Sequence, residues 1–404
     1  MKIESFYIEG LFGCREPIKI DFKSNIHVLS GKNGAGKTTI LKLMWYFISG
    51  NLEKALIEVP FKKAVLNTDI YELAVTVTDD QDLPFNTILN LKNKSLVSDE
   101  IREIDPRDIS SDIRHILTKF IGSSFFFPTF RNIEGGFTTE AYNIKHEIFQ
   151  TLLSHNSKKN SDSIDISHDL KILSGKLSNN DHKFYTSVSS ETISNVLISK
   201  YAEIMSILQP YQMQRKDLSD LMLKHFLEDD SVDNSSDFKT IRENITNLEN
   251  TIEISKQPLK RFHDSISLFL KNYRFHFGQK IRFSIKSVEE KEIKTTKRSF
   301  ELLIGIGPKK PEPQMFDINI LSAGEKQILT LVGYNAFFDN TIFFIDEPEI
   351  SLHADWQRIL FRILMKQNPT NQFIITTQSP FIYSKYPKNE VCVDPTSDRG
   401  DCEE

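Results

Sequence analysis

Apolar and polar residues alternate along residues 2–9 and again along 16–22, and residues 25–30 close on an apolar run. Period two predicts three strands, with Gly10 and Gly13 turning the chain between the first two. At Lys37 the period changes. Ile40, Leu41, Leu43, Met44, Tyr46 and Phe47 share one wide face and predict a helix to Ser49. Residues 64–66, 71–78 and 87–91 return to the strand pattern, with a polar turn from Asp79 to Asp82 before the last of them. A helix is expected over 108–120. Phe125, Phe126 and Phe127 form a buried strand that runs into a loop carrying Arg131, Gly135 and Gly136.

After Phe137 the pattern turns helical over 138–153, passes a polar low-complexity loop at 154–163, and is helical again over 190–227 with Ser190 as N-cap. An acidic breaker at 228–236 follows. Ile241, Ile245, Leu248, Ile252, Leu259, Phe262, Ile266, Phe269 and Tyr273 then make a heptad-like seam, which Pro258 is expected to kink or restart. Two helical stretches around a polar turn predict a hairpin or small bundle inserted into another domain. Strands are expected at 280–285 and 299–306, with the mixed-charge run 289–298 as a solvated tip between them. A helix at 325–338 and apolar strands at 341–345 and 372–377 follow, and residues 386–404 are expected to be a polar tail.

Composition narrows the class. The chain has 404 residues and 39% hydrophobic content, ample for a buried core. Its formal net charge of -5 argues against a protein that is basic all over, so nucleic acid stays open as a partner only through a local patch. Cys14, Cys392 and Cys402 lack metal-binding spacing and are too few for a disulfide framework, which suits a reducing cytoplasm. No stretch reaches the roughly 18 apolar residues of a membrane span, so no membrane role is expected.

The candidate chemistry lies at the two ends. Gly31, Lys32, Asn33, Gly34, Ala35, Gly36, Lys37 and Thr38 match G-x-x-x-x-G-K-[ST] at every fixed position, after a strand and before a helix. Glycines there let amides converge on phosphate. Lys37 would bridge the β- and γ-phosphates, and the Thr38 hydroxyl would bind magnesium. Asp346 and Glu347 follow the apolar strand at 341–345, at the strand end where ligands gather in open α/β sheets. Asp346 suits the magnesium shell, and Glu347 suits a general base that polarises water. Ser322, Ala323 and Gly324 open a helix whose free amides could bind phosphate, with Glu325 completing a capping box.

These residues resemble a family. Leu321 to Gln327 looks like the signature motif of ABC-type ATPases, and Asp346 to His353 looks like the Walker B and D-loop of the branch with SMC, RecF, Rad50 and the overcoming-lysogenization-defect ATPases. Residues 127–134 also resemble the compact ATPases of the PARIS and Septu anti-phage systems, including retron-linked Septu. The resemblance implies an α/β, ABC/SMC-head-like P-loop NTPase. Its lobes would be 1–137, which includes an antiparallel β subdomain, and 278–385, with a helical insertion at 138–277. It further implies ATP with magnesium, and a head-to-tail homodimer or higher oligomer. ATP on residues 31–39, Thr39 included, would be closed over by residues 322–325 of a second copy. Ser351, Leu352 and His353 would lie near the partner's site, with Arg15 and Arg131 as candidate phosphate or cross-subunit contacts. Gln378 stands where the branch usually has a switch histidine. Glutamine can hydrogen-bond phosphate but cannot titrate, so slow turnover is expected. A glutamine lining the metal site is not evident, and Gln81 is a poor candidate.

The function expected is a cytoplasmic, slowly hydrolysing ATPase of anti-phage defence, a sensor or scaffold that controls a separate nuclease of Toprim or HNH type. Neither long coiled-coil arms nor a following nuclease domain is expected. The alternative is a DNA-repair ATPase like RecF or Rad50. A transporter's energising subunit fits least, because it predicts the switch histidine and a coupling glutamine.

Overall fold

In the computed structural model, which describes residues 1–13, 16–78, 86–94, 122–129, 166–185, 190–228, 236–286 and 314–393, the strand pattern near the N-terminus forms β1 (Ile3–Glu9), β2 (Ile18–Asp21) and β3 (Ile26–Ser30). Helices α1 (Lys37–Ser49) and α2 (Leu52–Glu58) follow, then β4 (Lys63–Thr68), β5 (Tyr71–Thr78), β6 (Asn86–Asn93), β7 (Ser123–Phe127), α3 (Ile166–Leu177) and β8 (His182–Phe184). The chain divides into two units, Met1–Val188 with Asp339–Glu404, and Ser189–Phe338. The first unit is therefore built from both ends of the sequence. Its C-terminal part supplies β12 (Thr341–Asp346), α7 (Ala354–Gln367), β13 (Gln372–Thr376), α8 (Pro380–Tyr383) and β14 (Glu390–Cys392).

Two sheets sandwich α1. One is antiparallel, in the order β2-β1-β4-β5-β6; the other runs β14-β3-β13-β12-β7-β8, with every described pairing parallel. Strand β12 sits between β7 and β13, and all six of its residues are buried, as a continuous apolar run requires. Helix α1 is buried on almost every side because both sheets claim it. The Phe47 ring lies 6.1 Å from Phe6 of β1, and Trp45 lies 5.5 Å from Phe126 of β7. On the other face of the parallel sheet, Phe361 of α7 meets Phe373 of β13 at 6.0 Å.

The second unit contains α4 (Ser190–Glu228), α5 (Ser236–Phe269), β9 (Tyr273–His276), β10 (Arg282–Ile285), β11 (Met315–Asp317) and α6 (Ala323–Phe337). Ile204 and Leu208 of α4 pack with Ile252 and Leu259 of α5. Further along α4, Gln214 and Leu218 face Asn244 and Leu248, so the two helices run antiparallel as a hairpin. Strands β9, β10 and β11 form a small antiparallel sheet.

Four expectations change. Helix α5 continues through Pro258 and does not restart there. Proline removes one backbone bond and strains the preceding turn, at roughly 3 kcal/mol, but Ile252, Phe262, Ile266 and Phe269 bury the helix on both sides of it. Tyr273 belongs to β9, opposite Ile285, and not to the helical seam. The tail expected at 386–404 contributes β14, which pairs with β3 and buries Val393. Cys392 on that strand is disulfide-bonded, where the sequence suggested no disulfide framework. The helices expected at 108–120 and 138–153, the strand at 299–306, and Arg15, Arg131 and Gln81 lie outside the described residues. Among the described residues no helix is long and apolar enough to cross a membrane.

Candidate nucleotide-binding site

Strand β3 delivers the chain into a loop with left-handed backbone at Gly31 (φ 140), Gly34 (φ 84) and Gly36 (φ 88). Repeated positive φ turns successive amides inward, which only glycine does without strain. Gly31 has a second constraint, since a Cβ there would overlap the Val393 carbonyl beyond β14. Lys32 and Asn33 are exposed, Ala35 is buried, and the Ala35 amide donates to the Lys32 carbonyl at 3.2 Å. Gly36 caps α1 with no side-chain bond, so the first amides of α1 keep their capacity for an anion. The Lys37 ammonium is buried and donates to the carbonyls of Gly31 (2.7 Å) and Lys32 (2.9 Å). Thr39 follows on the first turn of α1, half-buried.

Asp346 gathers the hydroxyls. Its Oδ1 accepts from Thr38 at 2.8 Å and from Thr376 at 2.5 Å, and its Oδ2 accepts from Thr129 at 2.5 Å. The donor set is all oxygen and mostly uncharged. Among the described residues no group of three or more His, Cys, Asp or Glu side chains converges as a metal cage. Oxygen donors of this kind suit a hard cation held together with a substrate's phosphates.

Glu347 adopts φ 47, rare for a non-glycine residue. Its amide donates to the Thr376 carbonyl at 3.1 Å, which fixes that turn against β13. Burial raises the Glu347 carboxyl above the usual range, and the charges of Asp346 and Glu349 raise it further; the Gln378 hydrogen bond and Lys37 oppose them. That bond runs from Gln378 Nε2 to Glu347 Oε1 at 3.0 Å. Glu347 and Gln378 share an open cleft of about 370 Å³ with Glu349, Gln357 and Phe381.

Lys37, Thr38, Asp346, Glu347 and Gln378 thus belong to one unit. Ser322, Ala323, Gly324 and Glu325 belong to the other, where Glu325 Oε2 accepts from the Ser322 amide at 2.8 Å and Ser322 Oγ accepts from the Glu325 amide at 3.4 Å. The capping box read from the sequence is present. Sequence reading passed over Thr376, Thr129 and Glu349. Thr376 was within reach, because it ends the β13 run and pairs in register with Asp346. Thr129 was not, since its approach depends on the pairing of β7 with β12. Phe12 also escaped notice. It is 52% exposed, holds φ 50, and would stand 3.4 Å from a Cβ on Gly36.

The profile of the AAA ATPase domain family matches residues 1–383. No curated protein matches the chain. Among solved structures it is similar to the SMC head domain from Thermotoga maritima, at 13% identity over 95% of this chain and 92% of that one, with a TM-score of 0.39. It is also similar to the Smc head domain with an extended coiled coil bound to the C-terminal domain of ScpA, from Pyrococcus furiosus, at 12% identity over 95% and 91%, with a TM-score of 0.37. A third is the SmcHead bound to the C-winged helix domain of ScpA, at 13% over 95% and 92%, with a TM-score of 0.41. The family profile spans both the glycine loop and the strand carrying Asp346 and Glu347, and the chain therefore belongs to the AAA ATPase domain family.

Proposed function

We propose that the chain binds ATP with magnesium at residues 31–39 and hydrolyses it slowly through Glu347. We further propose that it acts as the sensor or scaffold subunit of an anti-phage defence system, controlling a separate nuclease through ATP-dependent head-to-tail assembly. The observation that carries the catalytic part is the meeting of Thr38 with Asp346, 308 residues apart, beside a Glu347 held by Gln378. Magnesium, when bound, neutralises phosphate charge; Thr38 and Asp346 would hold it. The loop amides and Lys37 would grip the phosphates. Glu347, its basicity raised by burial, would take the proton from the attacking water. Gln378 would orient Glu347 and report the γ-phosphate without titrating.

The defence role rests on the resemblance of residues 127–134 and on a switch glutamine suited to holding ATP. Two measurements test the reading. Lys37→Ala is expected to abolish binding of a fluorescent ATP analogue, while Glu347→Gln keeps binding and stops phosphate release. The effector, a Toprim or HNH nuclease, is expected to co-purify as the product of an adjacent gene. A Glu347→Ala chain that still released active nuclease would remove hydrolysis from its control. DNA-stimulated hydrolysis, with DNA binding that weakens steeply with salt, would favour a repair ATPase instead.

A further inference from the structure

The turn that carries Glu347 and the loop that carries Gln378 are tied by two side chains that neither motif singles out. Glu349 Oε1 accepts two successive amides of the switch loop, Gln378 at 2.7 Å and Ser379 at 3.2 Å. Gln357, on α7, spans both segments. Its Oε1 accepts from Ser379 Oγ at 2.6 Å, and its Nε2 donates to the carbonyls of Leu352 (2.8 Å) and Glu349 (3.3 Å). The tied turn is strained, with left-handed non-glycine backbone at Glu347 and at Ser351 (φ 71).

Fold stability alone explains this poorly. Among the described residues the second carboxylate oxygen of Glu349 is buried with no hydrogen-bond partner, an unfavourable arrangement for a polar atom. Gln378 itself is exposed. Holding an exposed glutamine in one rotamer costs side-chain entropy, and a backbone already fixed spares its bond to Glu347 the further cost of ordering the loop beneath it. Glu349 pins that backbone.

We propose that Glu349 and Gln357 are positioning residues for hydrolysis: they lock the Glu347 turn to the switch loop, so that the Gln378 amide stays on the Glu347 carboxylate at the mouth of the open cleft. The cleft of about 370 Å³ has ample room to bring water to that carboxylate. This inference rests on the reading of Glu347 as the base of ATP hydrolysis.

The test uses the full chain with ATP and magnesium, and reads single-turnover hydrolysis, ATP affinity and melting temperature. Glu349→Ala is expected to slow hydrolysis by about 10- to 100-fold, the scale of a misplaced catalytic group, with ATP affinity within about twofold. Glu349→Gln keeps an acceptor oxygen at the same reach and is expected to restore the rate to within about threefold. Because Glu349 acts through Gln378, Glu349→Ala is expected to add little in a Gln378→Ala background. If Glu349→Ala does not fold, Gln357→Leu breaks the same tie from α7 and is expected to show the same loss. An unaltered rate in the folded variants, a parallel loss of ATP affinity, or full additivity with Gln378→Ala would each overturn the proposal. Glu347→Gln separates the two levels. If it is inactive while Glu349→Ala is unimpaired, only the positioning role fails; if it hydrolyses at the normal rate, the reading of the base fails.

Discussion

At Gly31 two constraints coincide: φ 140, which L side chains rarely adopt, and a space closed by the Val393 carbonyl. Gly31→Ala is therefore expected to abolish ATP-analogue binding and to lower unfolding stability by about 2 kcal/mol or more, by strain and overpacking together. The glycine motif was legible in the sequence because its spacing is local. Its neighbour was not, since Val393 arrives through a strand formed at the far end of the chain. Glu347 yields a second residue-scale prediction. Its carboxyl is raised, and only the ionised form accepts a proton, so hydrolysis is expected to decline with falling pH at a higher pH than an ordinary glutamate would give. Gln378→Leu removes a bond that favours the charged form, so the acid limb of the rate profile should move further up. A limb in the same place in both chains would mean that a different group limits the rate.

Single elements show what pattern reading catches and what it misses. Strand β12 announces itself by its continuous apolar run, and the long helices α4 and α5 by their period. Strands of three or four residues, such as β8, β9 and β14, carry too few positions to establish one; their sheet neighbours define them. Strand β8 also places His182 where it is buried, its Nδ1 2.8 Å from Ser124 Oγ. Burial lowers its pKa from 6.5 to about 4. The unfolded chain then takes up the proton first, so the stability this residue contributes is full above about pH 6.5 and is lost as pH falls through about 4. The loss reaches about 3 kcal/mol at about 1.4 kcal/mol per unit. Urea unfolding between pH 7 and 4 measures it, and His182→Gln is expected to flatten that dependence. An equally steep curve in the variant would place the acid sensitivity elsewhere.

For the whole molecule, the consequence of a site drawn from both chain ends is that nucleotide and fold are linked. ATP at about 100 times its dissociation constant is expected to stabilise the first unit by about 2.7 kcal/mol, seen as a higher melting temperature that Lys37→Ala does not share. Assembly is the larger question. In the second unit, the capping box already engages the Ser322 hydroxyl and the Glu325 carboxylate. What the start of α6 keeps for an anion is the amides of Ala323 and Gly324 together with the helix dipole. If those amides meet the γ-phosphate of a second copy, then ATP that cannot be hydrolysed should hold two chains together, and Glu347→Gln with ATP is expected to elute at twice the chain mass in size exclusion with light scattering. Ala323→Asp gives a discriminating control. An acidic residue in the first turn favours the helix, so the fold and the chain's own ATP binding should survive, while its charge repels an incoming phosphate and should return the species to single mass. A Glu347→Gln chain that binds ATP yet stays at single mass would remove head-to-tail closure from the reading, and the helix start at Ala323 would then be no more than a well-capped turn.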